Sequence, residues 1–265
     1  MKRTATRFLM ILLLVFVQSC ATVPHTQRRS LILVSPGQET AMGEQAYREI
    51  LSQEKLSQNK KWVLIVDKVG RNLARVSDMP NLNWEFKLIE SPQKNAFCLP
   101  GGKVAVYTGI MEVAQNEAGL AAIMGHEIAH AIARHGAERM TQVLLLNMGL
   151  SMADVSLQNS EHRELILAAI GLSANVGLLL PYSRKHETEA DNIGTIYMAR
   201  AGYDPNEAVA LWQRFAEAEQ ARVPAFLSTH PPSLERAEAL QSIAQQAMAE
   251  YQRVPNPYGK GEPLF

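Results

Sequence analysis

With 26 basic and 26 acidic side chains in 265 residues, the chain has no net charge, and no basic field suited to a nucleic-acid backbone. Its apolar share of 47% is ordinary for a globular protein, and two cysteines are too few for a disulfide framework. There is no internal repeat and no low-complexity tract.

The N-terminus bears on the compartment. Lys2, Arg3 and Arg7 precede an apolar run from Phe8 to Val17, and Gln18, Ser19 and Cys20 follow. That charged, apolar, small-residue order reads as a secretory signal peptide over 1–19, too short for a comfortable membrane span. Val17 to Cys20 resembles a bacterial lipobox, in which Cys20 is lipidated and becomes the mature N-terminus. An uncleaved anchor or cleavage elsewhere is the alternative. Ala21 after the cysteine resembles lipoproteins sorted to the outer membrane. Removing 1–19 leaves 23 basic against 26 acidic residues, and Cys98 alone without a disulfide partner.

Residues 20–34 read as a lipidated tether and 35–252 as one folded domain, with 253–265 as a C-terminal tail. Ser35-Pro36-Gly37-Gln38 looks like a helix start, running to about Ser57. Val63, Val66, Val69, Leu73 and Val76 predict a second helix over 60–76. Trp84 to Leu88 alternates with the period of a half-buried strand. Two extended runs, 95–99 and 103–108, flank Pro100-Gly101-Gly102 and form a hairpin. Helices are predicted over 116–140, 185–200 and 233–251, with Gly202 ending the second and Asp204-Pro205 opening another. The apolar stretches 143–157 and 165–180 lie between. The second is shorter than the ~20 residues a span needs and reads as a buried or substrate-facing helix.

His126-Glu127-Ile128-Ala129-His130 carries the strongest chemical signal. Residues four apart on a helix share a face, so both imidazoles can reach one zinc ion, with Glu127 beside them as a general base. A metzincin needs a histidine at position 136, where this chain has Gly136. His135 lies five residues beyond His130 and reads as a surface histidine on the continuing helix. The better third ligand is Glu187, which shares a face with Asp191. One carboxylate can bind the metal while the other accepts an imidazole N–H, so Asp191 is expected to hold the ligand shell through His126. Glu189 points away and reads as a solvated charge. Two histidines, a glutamate and an open fourth position make a catalytic zinc site.

His-Glu-x-x-His followed by Glu-x-x-x-Asp on a later helix resembles the gluzincin pattern. Its Glu-x-x-Ala-Asp form at Glu187 to Asp191 is similar to family forty-eight of the metallopeptidases, which includes HtpX, the CAAX prenyl proteases and periplasmic lipoproteins like BepA and LoiP. Asn95-Ala96-Phe97 with Pro100-Gly101-Gly102, Ala201 to Pro205, and Thr229-His230-Pro231 match as well, so the likeness covers roughly 35–245. It implies an α+β, mostly helical zincin domain with a small sheet edge and one zinc per chain. It further implies an endopeptidase acting on polypeptides, here unfolded or misassembled envelope proteins. Evident transmembrane helices and a tetratricopeptide-type tail are missing from the pattern, which speaks against membrane-embedded prenyl substrates. The resemblance gives the strand at Asn95 and Ala96 a role in pairing with extended substrate, beside a plain capping role for Asn95. Cys98 reads as a small buried hydrophobe or a redox-sensitive neighbour.

In such a site Glu127 takes a proton from water and passes it to the leaving amine. His230, Tyr182 and Arg236 are the candidates for the oxyanion donor, His230 first because it lies in a stiff Thr-His-Pro-Pro segment. His230 can instead fill the fourth zinc position. The functional alternative is a chaperone-like assembly factor for outer-membrane proteins with a silent or regulated zinc site.

Overall fold

The computed structural model describes residues 20–156, 183–219, 224–231 and 234–265. The signal-like 1–19, the stretch 165–180 and Tyr182 lie outside the described residues. The chain divides into two compact units, one of 37–135 with 180–265, the other of 1–36 with 136–179.

In the larger unit, helix α1 (Pro36–Gln53) ends four residues before the expected Ser57, and α2 (Lys60–Val76) has its predicted bounds. Asn59 caps α2 by accepting the Trp62 N–H, and Val66, Val69 and Leu73 line its buried face. Strands β3 (Glu85–Ile89), β4 (Ala96–Leu99) and β5 (Lys103–Tyr107) form one sheet in the order β3-β5-β4. β5 is buried throughout, parallel to β3 and antiparallel to β4, which leaves β4 at an edge. Gly101 and Gly102, both at positive φ (84° and 78°), make the predicted turn between β4 and β5.

A 3₁₀ turn (Thr108–Ile110) and the short α3 (Met111–Ala114) lead into α4 (Glu117–Ile132), which is buried along nearly its whole length. Its N-terminus is closed by three acceptors. The Asn116 side chain takes the Gly119 N–H, and the carbonyls of Glu262 and Lys260 take those of Glu117 and Ala118. Residues 253–265 therefore pack onto the domain, with Leu264 buried and Phe265 edge-on to Trp62.

The helix predicted over 116–140 is two helices. α4 stops at Ile132, Arg134 takes a left-handed φ of 56°, and α5 (His135–Ser156) starts afresh. Arg134 is an ordinary helix former, so the break has a tertiary cause: its guanidinium pairs with the buried Glu39 carboxylate. Beyond it come α6 (Arg184–Arg200), α7 (Asn206–Glu219), the single turn α8 (Ala225–Thr229) and α9 (Leu234–Tyr251).

In the smaller unit, residues read as a tether form an antiparallel ribbon, β1 (Cys20–Thr22) against β2 (Arg29–Leu31). Arg28 pairs with Glu138 at 2.8 Å, and the Thr141 hydroxyl accepts the Leu33 N–H. No helix among the described residues is long and apolar enough to cross a membrane.

Candidate metal centre

Two helices without side chains at their crossing build the site. Gly125 of α4 faces Gly194 of α6, and a β-carbon on either would meet the other's backbone within 2.9 Å. This close approach sets His126 and His130 on α4 opposite Glu187 and Asp191 on α6, the shared faces expected from their four-residue spacings. α8 docks on the segment before β4 through the Phe226 N–H, which donates to the Lys94 carbonyl. The chain then turns at His230, whose ring stacks on Phe226.

Among the described residues, His126, His130, Glu187 and His230 form a buried group able to hold a metal ion. His126 Nε2 lies 3.0 Å from His130 Nε2, 3.2 Å from His230 Nδ1 and 3.5 Å from Glu187 Oε2. Glu187 Oε1 lies 3.3 Å from His130 Nε2 and 3.1 Å from His230 Nδ1. Zinc bonds of about 2.0–2.1 Å set tetrahedral corners about 3.3–3.4 Å apart, so these atoms fit one zinc ion.

Around the donors the other groups are ordered. His126 Nδ1 lies 2.9 Å from Asp191 Oδ1, and with its hydrogen on Nδ1 donated there the ring keeps Nε2 for a metal. Arg236 clamps Asp191 through Nε and Nη2, reaches Glu187 Oε2 at 2.6 Å through Nη1, and lies over the Trp212 ring. Its guanidinium is thus engaged with carboxylates, a correction to its candidacy as oxyanion donor. Glu127 lies beside the donors with Oε1 3.3 Å from His230 Nε2.

The same packing tunes the ionisations. Burial disfavours a charged His126, but Asp191 and Glu187 outweigh it and lift the imidazole to about 9. Burial drives His130 well below its ordinary value. Burial also opposes ionisation of Glu187 and Asp191, yet three histidines hold the first low and Arg236, with His126, the second. Glu127 is raised, by burial first, against the pull of His230 and His126. Burial pushes the Cys98 thiol well above its usual value, with Glu127 adding to the shift.

Two readings from spacing are overturned. His135 is fully buried rather than on the surface, and Glu189 is buried rather than solvated. They bond to each other at 2.8 Å, and His135 Nδ1 lies 2.9 Å from His130 Nδ1. The expectation for His135 failed because it continued α4 through Arg134, where the backbone turns left-handed, and Glu189 is buried against the imidazole placed there. At the sheet edge, Asn95 Oδ1 accepts the Ala96 N–H, and the Asn95 carbonyl accepts that of Tyr107.

A His-Glu-x-x-His helix crossed by a Glu-x-x-x-Asp helix beside a small mixed sheet defines a zincin-like zinc metallopeptidase. The chain matches the model described as Peptidase family M48 over residues 60–244, and it belongs to that family. It is 39% identical over 233 residues to the mitochondrial metalloendopeptidase OMA1 of Schizosaccharomyces pombe, covering 86% of this chain and 67% of that one. Human mitochondrial metalloendopeptidase OMA1 is 31% identical over 240 residues, 85% of this chain and 46% of its own. The β-barrel assembly-enhancing protease of Escherichia coli K12 is 26% identical over 225 residues, 82% and 46% of the two chains. The match thus spans two thirds of the fission yeast protein and about half of the human and bacterial ones.

Proposed function

We propose that the chain is a zinc endopeptidase of the bacterial cell envelope that cleaves misfolded or misassembled envelope proteins. In this reading His126, His130 and Glu187 hold the zinc, Asp191 orients His126, and Glu127 is the general base. The observation that carries the peptidase chemistry is Glu127, a non-ligand carboxylate buried against the donor cluster and raised above its ordinary value. A metal-holding scaffold has no need of such a group, which disfavours a purely chaperone-like protein with a silent site.

Bound zinc supplies a Lewis acid that acidifies water and polarises a carbonyl. Glu127 accepts a proton as the water oxygen bonds to the scissile carbonyl carbon. It then returns that proton to the amide nitrogen as the C–N bond breaks, leaving a carboxylate and an amine. Substrate in extended form would pair along the open edge of β4 near Asn95 and Ala96.

His230 has a second reading beside oxyanion donation, favoured by one observation: its Nδ1 stands among the metal donors. It then fills the fourth position at rest and leaves when substrate enters, since a catalytic zinc keeps one position open.

The envelope location rests on the signal-like 1–19 and the lipobox-like Cys20, supported by the likeness to a β-barrel assembly-enhancing protease. The lipid on Cys20 would tether the domain to the outer membrane, on its periplasmic side. Full-length protein and a Cys20→Ser form are compared for palmitate labelling and membrane association. The same soluble form is assayed for zinc content and for casein cleavage with and without a chelator. One zinc per chain and chelator-sensitive cleavage are the expected results; cleavage indifferent to chelator overturns the metallopeptidase reading. Unlabelled, still membrane-bound protein overturns the anchor alone.

A further inference from the structure

Each of the two histidines on α4 has a different arrangement behind it. His126 meets the Asp191 carboxylate directly, whereas His130 meets a second imidazole, that of His135, at 2.9 Å between the two Nδ1 atoms. His135 in turn reaches Glu189 Oε2 through Nε2 at 2.8 Å. All three residues are buried, and the His186 ring stacks on His135 with centroids 4.3 Å apart and planes 22° apart.

The hydrogen positions follow from chemistry. His130 Nε2 lies in the donor cluster, 3.0 Å from His126 Nε2, so a metal-bearing His130 carries its hydrogen on Nδ1. That hydrogen has His135 Nδ1 as its acceptor, so His135 carries its own hydrogen on Nε2. The Nε2–H then donates to the Glu189 carboxylate. A neutral imidazole offers one donor and one acceptor, and both are used in a single consistent direction.

Resting on the zinc-centre reading above, we infer that His135 and Glu189 are positioning residues for His130. They form a relay that fixes its tautomer and ring orientation toward the metal, as Asp191 does for His126. The extra imidazole is a consequence of the break after α4. Arg134 in the left-handed region, held by Glu39, turns the chain after α4 so that His135 Nδ1 comes to 2.9 Å from His130 Nδ1. Glu189 enters from α6, two residues from Glu187 on the neighbouring helix. Groups that orient a ligating histidine in this way change metal affinity by about 10–100-fold when removed.

The test measures zinc affinity by competition with a chromophoric chelator, and the unfolding temperature of each zinc-free protein. His135→Leu fills the space with an apolar group and removes both hydrogen bonds. It is expected to weaken zinc binding by about 10–100-fold and to lower the zinc-free melting temperature, because the buried Glu189 loses its imidazole partner. His135→Leu combined with Glu189→Leu, which removes that carboxylate, should regain the stability but not the zinc affinity. His135→Gln restores one acceptor and one donor and is expected to recover most of the affinity. Glu189→Ala should fall with the leucine variant, and Glu189→Gln, whose amide oxygen still accepts, with the glutamine one. Wild-type affinity in His135→Leu overturns the relay, as does a loss shared equally by Leu and Gln in step with zinc-free stability. His130→Ala is the control: if it binds zinc like the wild type, the metal-centre reading fails, and the relay with it.

Discussion

Gly194 of α6 lies so close to Gly125 of α4 that a β-carbon on it would stand 2.7 Å from the Gly125 carbonyl carbon and from the His126 nitrogen. The contact is backbone against backbone, so no rotamer change can relieve it. Three and seven residues before Gly194, Asp191 and Glu187 take their distances to His126 and His130 from this crossing.

Gly194→Ala is therefore expected to cost about 1–3 kcal/mol, as overpacking does, and to lower zinc affinity with it. Gly149→Ala is the matched control on the exposed face of α5, where a β-carbon meets nothing within 4 Å. It should be neutral or stabilising by about 0.5–1 kcal/mol. Urea unfolding of the two variants measures the contrast, and equal stabilities would show that the crossing tolerates separation.

Glu127→Gln separates metal binding from chemistry. The side chain stands outside the donor set, so zinc content should match the wild type. Proteolysis should fall by at least the ~10²–10⁴-fold that a general base supplies. A variant that cleaves casein at a near wild-type rate removes Glu127 from the mechanism.

His230→Ala distinguishes the two roles of that residue by sign. With Nδ1 among the metal donors and Nε2 3.3 Å from Glu127, the histidine covers both the metal and the base. Removal should raise basal casein cleavage and leave zinc bound through the other three donors. Lower activity at unchanged zinc content would instead assign the oxyanion role.

Zinc uptake should release protons in a defined pH window. Without the metal, His126 is lifted to about 9, so it is charged at pH 7, while His130 is driven low and is already neutral there. Glu187 is held low and is already ionised. Zinc binds the neutral ring, so about one proton should leave per zinc at pH 7, and fewer as the pH rises past 9. Calorimetry in buffers of different ionisation enthalpy reads this number directly. A release near zero at pH 7 would mean that Asp191 and Glu187 do not hold His126 charged.

Much of the centre is legible in the chain because it is local. His126 with His130, and Glu187 with Asp191, are pairs four apart, and a helix places such pairs on one face whatever surrounds it. The bounds of α2 and the β4–β5 hairpin follow for the same reason, from a cap, a periodicity and a turn. What spacing misplaced depends on contacts between distant residues. His135 and Glu189 looked solvated on unbroken helices, yet Arg134 leaves the helix because Glu39, 95 residues earlier, holds its guanidinium. His230 arrives in the donor set, 43 residues beyond Glu187, at the end of α8, whose Phe226 N–H donates to the carbonyl of Lys94. Helical periodicity by itself determined which side chains could face one metal ion. Only the tertiary structure decided which groups stand behind and opposite them, because those positions are set by long-range ion pairs and helix crossings that no local pattern encodes.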